Sequence, residues 1–308
     1  MQVFIDGAAG TTGLEIAERL AGRGEYSLIV LGDDERKDPA ARRDAINACD
    51  VAILCLPEDA AREAVALIDN DTTRVIDASS AHRVADGWTY GFPELVGRDT
   101  VAQARLVSNP GCYPTGFLAL VAPLVRAGLL SADWPFTVNA VSGYSGGGKA
   151  LIERFEADEP DIAFRTYALG LTHKHLPELQ HHAGLAHPVL FAPSVVPAFR
   201  GMIVEVPLHL GAMAGEPSPA ALRSALTDFY AGSRIVTVAQ GDAPSELLLR
   251  RDPAPSDAMT LHVFGDEGGG HARLVATLDN LGKGASGAAV QTLNLMAALD
   301  ETSGLRLP

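Results

Sequence analysis

The first 130 residues of the chain alternate between short apolar runs and longer amphipathic stretches. The apolar runs have the length of strands and lie at residues 2–5, 27–31, 51–56, 74–77 and 105–107. Stretches with helical spacing of apolar positions separate the early runs, at residues 14–23, 40–47 and 59–69. Strands that alternate with helices are typical of βαβ units, in which a parallel sheet is buried on both faces. We therefore predict a doubly wound, Rossmann-like α/β domain for this part of the chain.

The pattern changes after about residue 130, where predicted strands outnumber helices. Runs of strand length lie at residues 137–142, 189–196, 201–210, 235–239, 260–264 and 272–278. Helical spacing is confined to residues 176–184 and 219–230. Residues 202–208 partly alternate, as in a half-exposed strand. This pattern predicts an α+β domain with a mainly antiparallel sheet and helices on one face, followed by a last apolar helix at residues 284–299 that returns to the first domain.

Composition narrows the class of protein. The chain is 47% hydrophobic and 20% charged, which is typical of a globular protein. A net charge of −14 argues against nucleic-acid or acidic-membrane partners, because both need basic surfaces. Three cysteines are an odd, sparse set that fits a reducing compartment. With no signal-peptide pattern and no apolar run of membrane-span length, we expect a cytoplasmic protein. The net charge leaves room for a small anionic substrate, which would need a local basic pocket.

A glycine-rich turn follows the first predicted strand and opens the first helix. The run DGAAGTTG occupies residues 6–13. Glycines in such a turn permit a sharp bend and a close approach to a pyrophosphate, which then sits at the helix N-terminus. The spacing is G-x-x-G-x-x-G rather than G-x-G-x-x-G, so a plain helix entry is the alternative. We assign dinucleotide contacts to Gly7, Ala9, Gly10, Thr11, Thr12 and Gly13.

Charged residues after the second predicted strand bear on the type of nicotinamide cofactor. Asp33 follows Gly13 by 20 residues, where an acidic side chain can bind the ribose 2′-OH of NAD. Arg36 instead suits the 2′-phosphate of NADP. The two signals conflict, and a solvated charged loop is the third alternative.

Cys112 is the first candidate for chemistry. It lies in the run SNPGCYPTG at residues 108–116, directly before an apolar run. Pro110 and Gly111 mark a sharp turn, and Pro114 suits the first turn of a helix. The thiol is therefore predicted at a helix N-terminus, where the dipole lowers a thiol pKa and favours the thiolate. The local pattern fits both a nucleophile and an inert residue packed at a turn.

A histidine-rich segment, THKHLPEL at residues 172–179, is the second candidate. Pro177 indicates the start of a helix, and His175 and Glu178 can face each other across its first turn. A carboxylate that orients a histidine is what general acid–base catalysis needs, with His173 as the alternative base. Five histidines between residues 173 and 187 suggest a metal site, but no known ligand spacing supports one, so we predict none.

Polar and basic residues elsewhere are candidates for binding a substrate. The run VSGYSGGGK at residues 141–149 is polar enough to line a ligand, with a flexible surface loop as the alternative. Arg83 and Arg200 suit bidentate binding of a carboxylate or phosphate, or a structural ion pair. We assign substrate contacts to Arg83, Asn109, Ser142, Tyr144 and Arg200. The predicted domains are then a dinucleotide-binding domain at residues 1–112, completed by a helix within 284–308, and a catalytic and oligomerisation domain at 113–283.

Taken together, these segments resemble the N-acetyl-gamma-glutamyl-phosphate reductase family, in its shorter subfamily. The resemblance spans nearly the whole chain and rests on residues 7–13, 108–115, 173–178, 196–201 and 279–287. The cysteine run and the NLGKGA run at residues 280–285 are its most specific parts. It implies an NADPH-dependent enzyme of arginine biosynthesis that reduces an acyl phosphate to an aldehyde, assembled as a homodimer or homotetramer.

The resemblance also implies roles for the candidate residues. Cys112 would attack N-acetyl-gamma-glutamyl phosphate, expel phosphate and form a thioester, which hydride from NADPH would reduce to N-acetylglutamate 5-semialdehyde. His175, oriented by Glu178, would move the protons. Near the nicotinamide the resemblance places Asn280, Gly284 and Ser286. NADH is not excluded, because an NAD enzyme would carry an acid such as Asp33.

Related acyl-phosphate reductases are the nearest alternatives, namely aspartate-semialdehyde dehydrogenase and N-acetyl-aminoadipyl-phosphate reductase. One methylene separates glutamyl from aminoadipyl substrates, and an apolar pocket discriminates that by only about 1–3 kcal/mol. The sequence therefore leaves substrate length open. A non-catalytic nicotinamide-binding regulator is more remote, because Cys112 occurs together with His175. A cofactor-free thiol acyltransferase or hydrolase is disfavoured by the glycine turn.

Overall fold

The computed structural model describes residues 1–32, 34–157, 161–266 and 268–308. Asp33, assigned above to the cofactor, lies outside the described residues. The structure divides into two units. The first consists of Met1–Gly111 and Ala285–Leu305, and the second of Cys112–Gly284 and Arg306–Pro308.

The first unit is built on a parallel sheet. Its strands are β1 (Gln2–Asp6), β2 (Ser27–Ile29), β3 (Val51–Leu54), β4 (Arg74–Asp77), β5 (Thr89–Tyr90) and β6 (Leu106–Ser108). They lie in the order β2-β1-β3-β4-β6-β5, and the pairings are parallel throughout the described residues. The helices of this unit are α1 (Thr11–Leu20), α2 (Pro39–Ala48), α3 (Glu58–Ala66), α4 (Pro93–Val96), α5 (Arg98–Gln103) and the last helix of the chain (Gly287–Met296).

Successive side chains of β1 point to opposite faces of the sheet, and both faces are buried. Val3 and Ile5 pack into a core that α1 shares with Val290 of the last helix. Phe4 packs into the opposite core, against Ile46 of α2. Each fully buried side chain of this size contributes roughly 1.5–3 kcal/mol to folding. The predicted doubly wound, Rossmann-like sheet is confirmed.

The second unit carries a mixed sheet. Its strands are β7 (Thr137–Gly143), β8 (Arg165–Thr166), β9 (Leu190–Val196), β10 (Met202–His209), β11 (Val236–Val238), β12 (Met259–Gly265) and β13 (His271–Leu278), in the order β11-β12-β13-β10-β7-β9-β8. The pairs β7–β9 and β11–β12 are parallel, and the other described pairings are antiparallel. Its helices are α6 (Cys112–Arg126), α7 (Gly148–Glu156), α8 (Leu176–Ala183) and α9 (Pro219–Phe229). The predicted α+β domain with a mainly antiparallel sheet is confirmed.

Helix α6 is anchored in the core of the second unit. Its residues from Tyr113 to Leu124 are all buried, and the hydroxyl of Tyr230 donates to the carbonyl of Ala119 at 2.9 Å. This burial holds the start of α6, and hence Cys112, in one place. Among the described residues, every helix is too short or too polar to cross a lipid bilayer.

Candidate active site

The turn between β1 and α1 is shaped by glycines at points where a side chain would clash. Gly7 has a φ of +88°, and a Cβ there would lie 2.3 Å from the carbonyl oxygen of Cys55. A Cβ at Gly13 would lie 2.5 Å from the carbonyl oxygen of Gly7, so α1 packs directly on the turn. Gly10, at the N-cap of α1, has no side chain with which to cap the helix. The first N–H groups of α1 therefore form a ready site for a phosphate.

Charges near this turn are balanced within the first unit. Asp6 ends β1, and its carboxylate accepts hydrogen bonds from Nε and Nη2 of Arg42 at 3.0 and 2.8 Å. This charge-assisted pair offsets a negative charge that would otherwise oppose a phosphate. Ala9, Thr11 and Thr12 are half-buried, and Arg36 is exposed on the short 3₁₀ turn after β2.

Cys112 is the first residue of α6 and differs from the other two cysteines of the chain. Burial raises the pKa of the Cys49 thiol to about 11 and that of the Cys55 thiol to about 12. Both therefore stay protonated and unreactive at neutral pH. Cys112 is half-buried, and its position at a helix N-terminus is the kind that favours a thiolate.

Two tyrosines adjoin Cys112. The hydroxyl of Tyr167 donates to the hydroxyl of Tyr113 at 3.2 Å, which in turn donates to the carbonyl of Ser194 at 3.3 Å. Burial raises the pKa of Tyr167 to about 12 and holds that of Tyr113 well above its usual value, and negative charge on Cys112 adds to both shifts. Both phenols thus stay protonated beside the thiol. The ring of Tyr113 packs against that of His175, with 5.9 Å between centroids.

His173 and His175 have different surroundings. His175 is buried at the N-cap of α8, and Glu178 is buried in the first turn. The backbone N–H of His175 donates to Nδ1 of His173 at 3.2 Å, and the two rings meet edge to face at 4.6 Å. Because Nδ1 of His173 accepts this hydrogen bond, it carries no proton. His173 therefore holds the start of α8, while the His175 ring contacts Tyr113.

The remaining histidines of this region do not assemble into a metal centre. Within the part of the chain that the structure describes, no cluster of three or more His, Cys, Asp or Glu side chains is arranged to hold a metal ion.

Residues 279–284 bring a third segment against Cys112. A Cβ at Gly284 would lie 3.0 Å from Cβ of Cys112, closer than side chains normally pack. Glycine therefore lets this backbone pass directly over the cysteine. Gly284 lies in the π-helical turn Gly282–Ser286, an irregular helix form that is frequent at functional sites. Lys283 and Ser286 are buried.

Two assigned residues are engaged within the second unit. Nη1 of Arg200 donates to the carboxylate of Asp279 at 2.9 Å, so the structural ion pair considered above is present. The side-chain oxygen of Asn280 accepts from the N–H of Gly201 at 2.9 Å, and its nitrogen donates to Oγ of Ser145 at 2.9 Å. These bonds tie residues 279–284 to the turn before β10 and to the segment after β7. A contact between Asn280 and a cofactor stays a prediction.

The glycine-rich segment after β7 has regular secondary structure. It forms the 3₁₀ turn Tyr144–Gly147 and then helix α7. Oγ of Ser142 is buried and donates to the carbonyl of Gly143 at 3.0 Å. Tyr144 stacks on Phe155 with 5.1 Å between ring centroids, and its hydroxyl donates to Glu156 at 3.0 Å.

Arg83 and Asn109 lie together in the first unit. Nε of Arg83 donates to the carbonyl of Asn109 at 3.0 Å, and Nδ2 of Asn109 donates to the carbonyl of Ala285 at 3.1 Å. Oδ1 of Asn109 is buried, and no described residue donates to it. A buried acceptor left unpaired costs about 1–3 kcal/mol, so this oxygen indicates a place for a donor from a ligand.

Sequence reasoning omitted Tyr113 and Tyr167, which adjoin Cys112, and it did not give His173 a supporting role. Tyr113 stands within the cysteine run and was accessible from its position next to Cys112. Tyr167 carries no local signal, because its contact with Tyr113 joins segments 54 residues apart in the chain. The contact of His173 with the N–H of His175 is local, but the spacing of the two histidines does not show which of them holds the start of the helix.

Two family models together match most of the chain. The family described as semialdehyde dehydrogenase, NAD binding domain, matches residues 2–104, and semialdehyde dehydrogenase, dimerisation domain, matches residues 112–280. The solved structure of aspartate semialdehyde dehydrogenase from Francisella tularensis has a TM-score of 0.70 at 13% identity, covering 96% of this chain and 99% of that one. Aspartate semialdehyde dehydrogenase II from Vibrio cholerae, complexed with ASA, has a TM-score of 0.66 at 18% identity, covering 96% and 98%. These likenesses establish the fold.

Much closer relatives share one name. The chain is 52% identical over 304 residues to an N-acetyl-gamma-glutamyl-phosphate reductase of Brucella anthropi, covering 96% of this chain and 98% of that protein. It is 47% identical over 321 residues to N-acetyl-gamma-glutamyl-phosphate reductase 2 of a Nostoc species, covering 99% of each. The chain therefore belongs to the N-acetyl-gamma-glutamyl-phosphate reductase family.

Proposed function

We propose that this chain reduces N-acetyl-gamma-glutamyl phosphate to N-acetylglutamate 5-semialdehyde with NADPH, releasing phosphate, as a step of arginine biosynthesis. The observation that carries the proposal is the surroundings of Cys112. Cys112 stands at the N-terminus of α6, and Gly284 packs directly against its Cβ. The name shared by close relatives and the match to an NAD binding domain support the substrate class and a nicotinamide cofactor.

The turn between β1 and α1 fits the phosphates of a dinucleotide. Side chains at Gly7 and Gly13 would fill the space that close backbone packing requires, and Gly10 leaves the helix N-terminus open. We assign binding to residues 7 and 9–13, with Arg36 toward a 2′-phosphate and Gly284 and Ser286 toward the nicotinamide. When bound, the cofactor supplies the hydride that reduces a thioester carbonyl.

Cys112 carries the acyl group. Its thiolate attacks the carbonyl carbon of the acyl phosphate, a C–S bond forms, and the bond to the phosphate oxygen breaks. His175 takes the thiol proton and passes it to the departing phosphate. After reduction, the tetrahedral oxyanion on Cys112 collapses, releasing the aldehyde and the thiolate, which His175 reprotonates with a proton from solvent. Glu178 orients His175, and the hydroxyls of Tyr113 and Tyr167, hydrogen-bonded to each other, lie beside the thioester.

The carboxylate, phosphate and acetamido groups of the substrate bind to the polar residues assigned above. Arg83 and Arg200 are the cations suited to its carboxylate and phosphate. Oδ1 of Asn109 is the acceptor for an N–H such as that of the acetamido group, because it is buried and lacks a donor from the described residues. Ser142 and Tyr144 complete the set. We further propose that the enzyme is cytoplasmic and assembles as a homodimer or homotetramer, since residues 112–280 match a dimerisation domain.

The reverse reaction tests this function directly. With N-acetylglutamate 5-semialdehyde, phosphate and NADP⁺, we expect reduced cofactor to accumulate only when phosphate is present. Parallel reactions contain aspartate semialdehyde or the N-acetyl-aminoadipyl aldehyde, and we expect at least about tenfold lower kcat/KM for each. Absence of a phosphate-dependent signal with both NADP⁺ and NAD⁺ would contradict the proposal.

Arg36→Ser tests the cofactor preference. If Arg36 binds the 2′-phosphate, the KM for NADPH should rise about tenfold, the effect of losing one charge-assisted contact. The KM for NADH, which lacks that phosphate, should not change. Arg43→Ser is the matched control, because Arg43 is an exposed arginine on α2 that pairs with Asp69. An unchanged KM for NADPH in Arg36→Ser would remove Arg36 from the site.

A further inference from the structure

The loop after β4 is held by one buried carboxylate. Asp77, the last residue of β4, is fully buried. Its carboxylate accepts hydrogen bonds from the backbone N–H and the hydroxyl of Ser79, both at 2.8 Å, and lies 2.7 Å from Nδ1 of His82. An ionised carboxylate has no proton to give, so Nδ1 of His82 is the donor.

Further contacts fix the rest of this loop, residues 80–82. The ring of His82 stacks on that of Trp88, with 4.1 Å between centroids and 10° between planes. The N–H of Ala81 donates to Oγ of Ser79 at 3.0 Å, and the hydroxyl of Ser80 donates to Glu58 at the start of α3. Each residue from 79 to 82 thus has a fixed hydrogen-bond partner.

The loop ends at Arg83, and Asp77 also holds the segment that Arg83 contacts. Nε and Nη2 of Arg83 donate to the carbonyls of Asn109 and Ala78 at 3.0 and 3.3 Å. The N–H of Asn109 donates to the carbonyl of Asp77 at 2.7 Å. Asp77 therefore links Arg83 and Asn109, because its carboxylate contacts His82, the residue before Arg83, and its carbonyl accepts from the N–H of Asn109.

We propose that Asp77 and His82 are a positioning pair that fixes Arg83 for binding the anionic phosphate group of the substrate. The inference rests on the assignment of Arg83 to an anionic group under the proposed function. Two further facts support it. The loop lies at the carboxyl end of a parallel strand, where sheets of this type bind ligands. A guanidinium also binds phosphate well only when its planar fork is correctly oriented.

Two substitutions of His82 separate positioning from mere packing. His82→Phe keeps the stack on Trp88 and removes the Nδ1 donor. His82→Asn keeps an N–H donor close to the position of Nδ1 and removes the stack. The matched control is His187→Phe, which breaks an exposed His–Asp pair with Asp133 at 2.9 Å in the second unit.

Two measurements are made on each variant. The first is the KM for inorganic phosphate in the reverse reaction, with the KM for NADP⁺ alongside. The second is equilibrium binding of inorganic phosphate, followed by Trp88 fluorescence in a Trp134→Phe background, which leaves one of the two tryptophans. The second measurement needs no turnover. It therefore tests the positioning pair even if the enzyme does not catalyse the proposed reaction.

We expect His82→Phe to weaken phosphate binding and raise the KM for phosphate about tenfold, with the KM for NADP⁺ unchanged, as for loss of one hydrogen bond to a charged group. His82→Asn should recover most of the affinity, and His187→Phe should match the parent protein. Normal phosphate affinity in His82→Phe, with affinity lost in Arg83→Met, would overturn the positioning pair and leave the role of Arg83 intact. Normal affinity in both variants would overturn the anion-binding role of Arg83 and the positioning pair with it.

Discussion

Replacement of Cys112 by serine should lower kcat on the order of 10⁴-fold or more, the scale seen when a catalytic nucleophile is removed. A serine hydroxyl at the N-terminus of α6 stays protonated at neutral pH, so neither attack nor thioester formation proceeds. The substitution removes little volume, and α6 remains anchored through the buried residues from Tyr113 to Leu124. Binding of NADPH, measured by calorimetry, should therefore be unchanged.

The same substitution at another cysteine provides the control. Burial raises the pKa of Cys49 to about 11, and its sulfur donates to the carbonyl of Ile46 at 3.2 Å, a bond that a serine hydroxyl can also make. Cys49→Ser should keep normal turnover. With the acyl phosphate and no reduced cofactor, mass spectrometry should find the acyl group on the peptide that contains Cys112. Near-normal turnover of Cys112→Ser would remove the thiol from the mechanism.

The first sheet was predictable because buried parallel strands are continuous apolar runs. Residues 51–56 predict β3, which spans Val51–Leu54. Helix α1 is less accessible to the same reasoning. It begins at Thr11, ahead of the first apolar residue, Leu14, whose side chain is 48% exposed and lies off the buried face. Threonine and glycine are poor helix formers, and here they start a helix because the turn packs on its first residues.

Long-range pairing explains what the sequence pattern misses in the second unit. The parallel pairs β7–β9 and β11–β12 depend on how the connections cross the sheet, which strand periodicity does not encode. Helix α7 starts at Gly148, within a glycine run that by composition predicts a loop. The stack of Tyr144 on Phe155 joins the turn before this helix to its last residues, a contact between side chains that glycine content does not reveal.

The candidate site likewise combines features that the local sequence predicts with features that depend on long-range contacts. Cys112 and the glycine turn are local features, because a helix N-terminus is encoded within a few residues. Tyr167 reaches Tyr113 across 54 positions of sequence, and Arg200 reaches Asp279 across 79. Such partners are set by the sheet that brings their segments together. Chemistry that depends on one helix end is therefore readable from sequence, whereas the residues that support it are not.

His175→Asn should lower kcat/KM about 10²-fold or more, the contribution expected of a general acid–base group. Asparagine is among the best N-cap residues, so the start of α8 should survive the change. The imidazole that contacts Tyr113 is what is lost. Cofactor binding should stay normal. The pH dependence of kcat/KM should lose the limb that reports histidine ionisation, and a purely structural defect would leave that limb in place.

Substitutions of two neighbouring histidines serve as controls for this prediction. His181→Asn changes an exposed residue of the same helix and should leave kcat/KM unaffected. His173→Asn keeps an acceptor oxygen for the backbone N–H of His175, so it should cost less than about tenfold, the value of one hydrogen bond. A 10²-fold loss in His173→Asn with near-normal His175→Asn would transfer the acid–base role to His173. The geometry favours His175 as the acid–base group. Nδ1 of His173 already accepts from the backbone at 3.2 Å, whereas the ring of His175 packs on Tyr113, the residue next to the nucleophile.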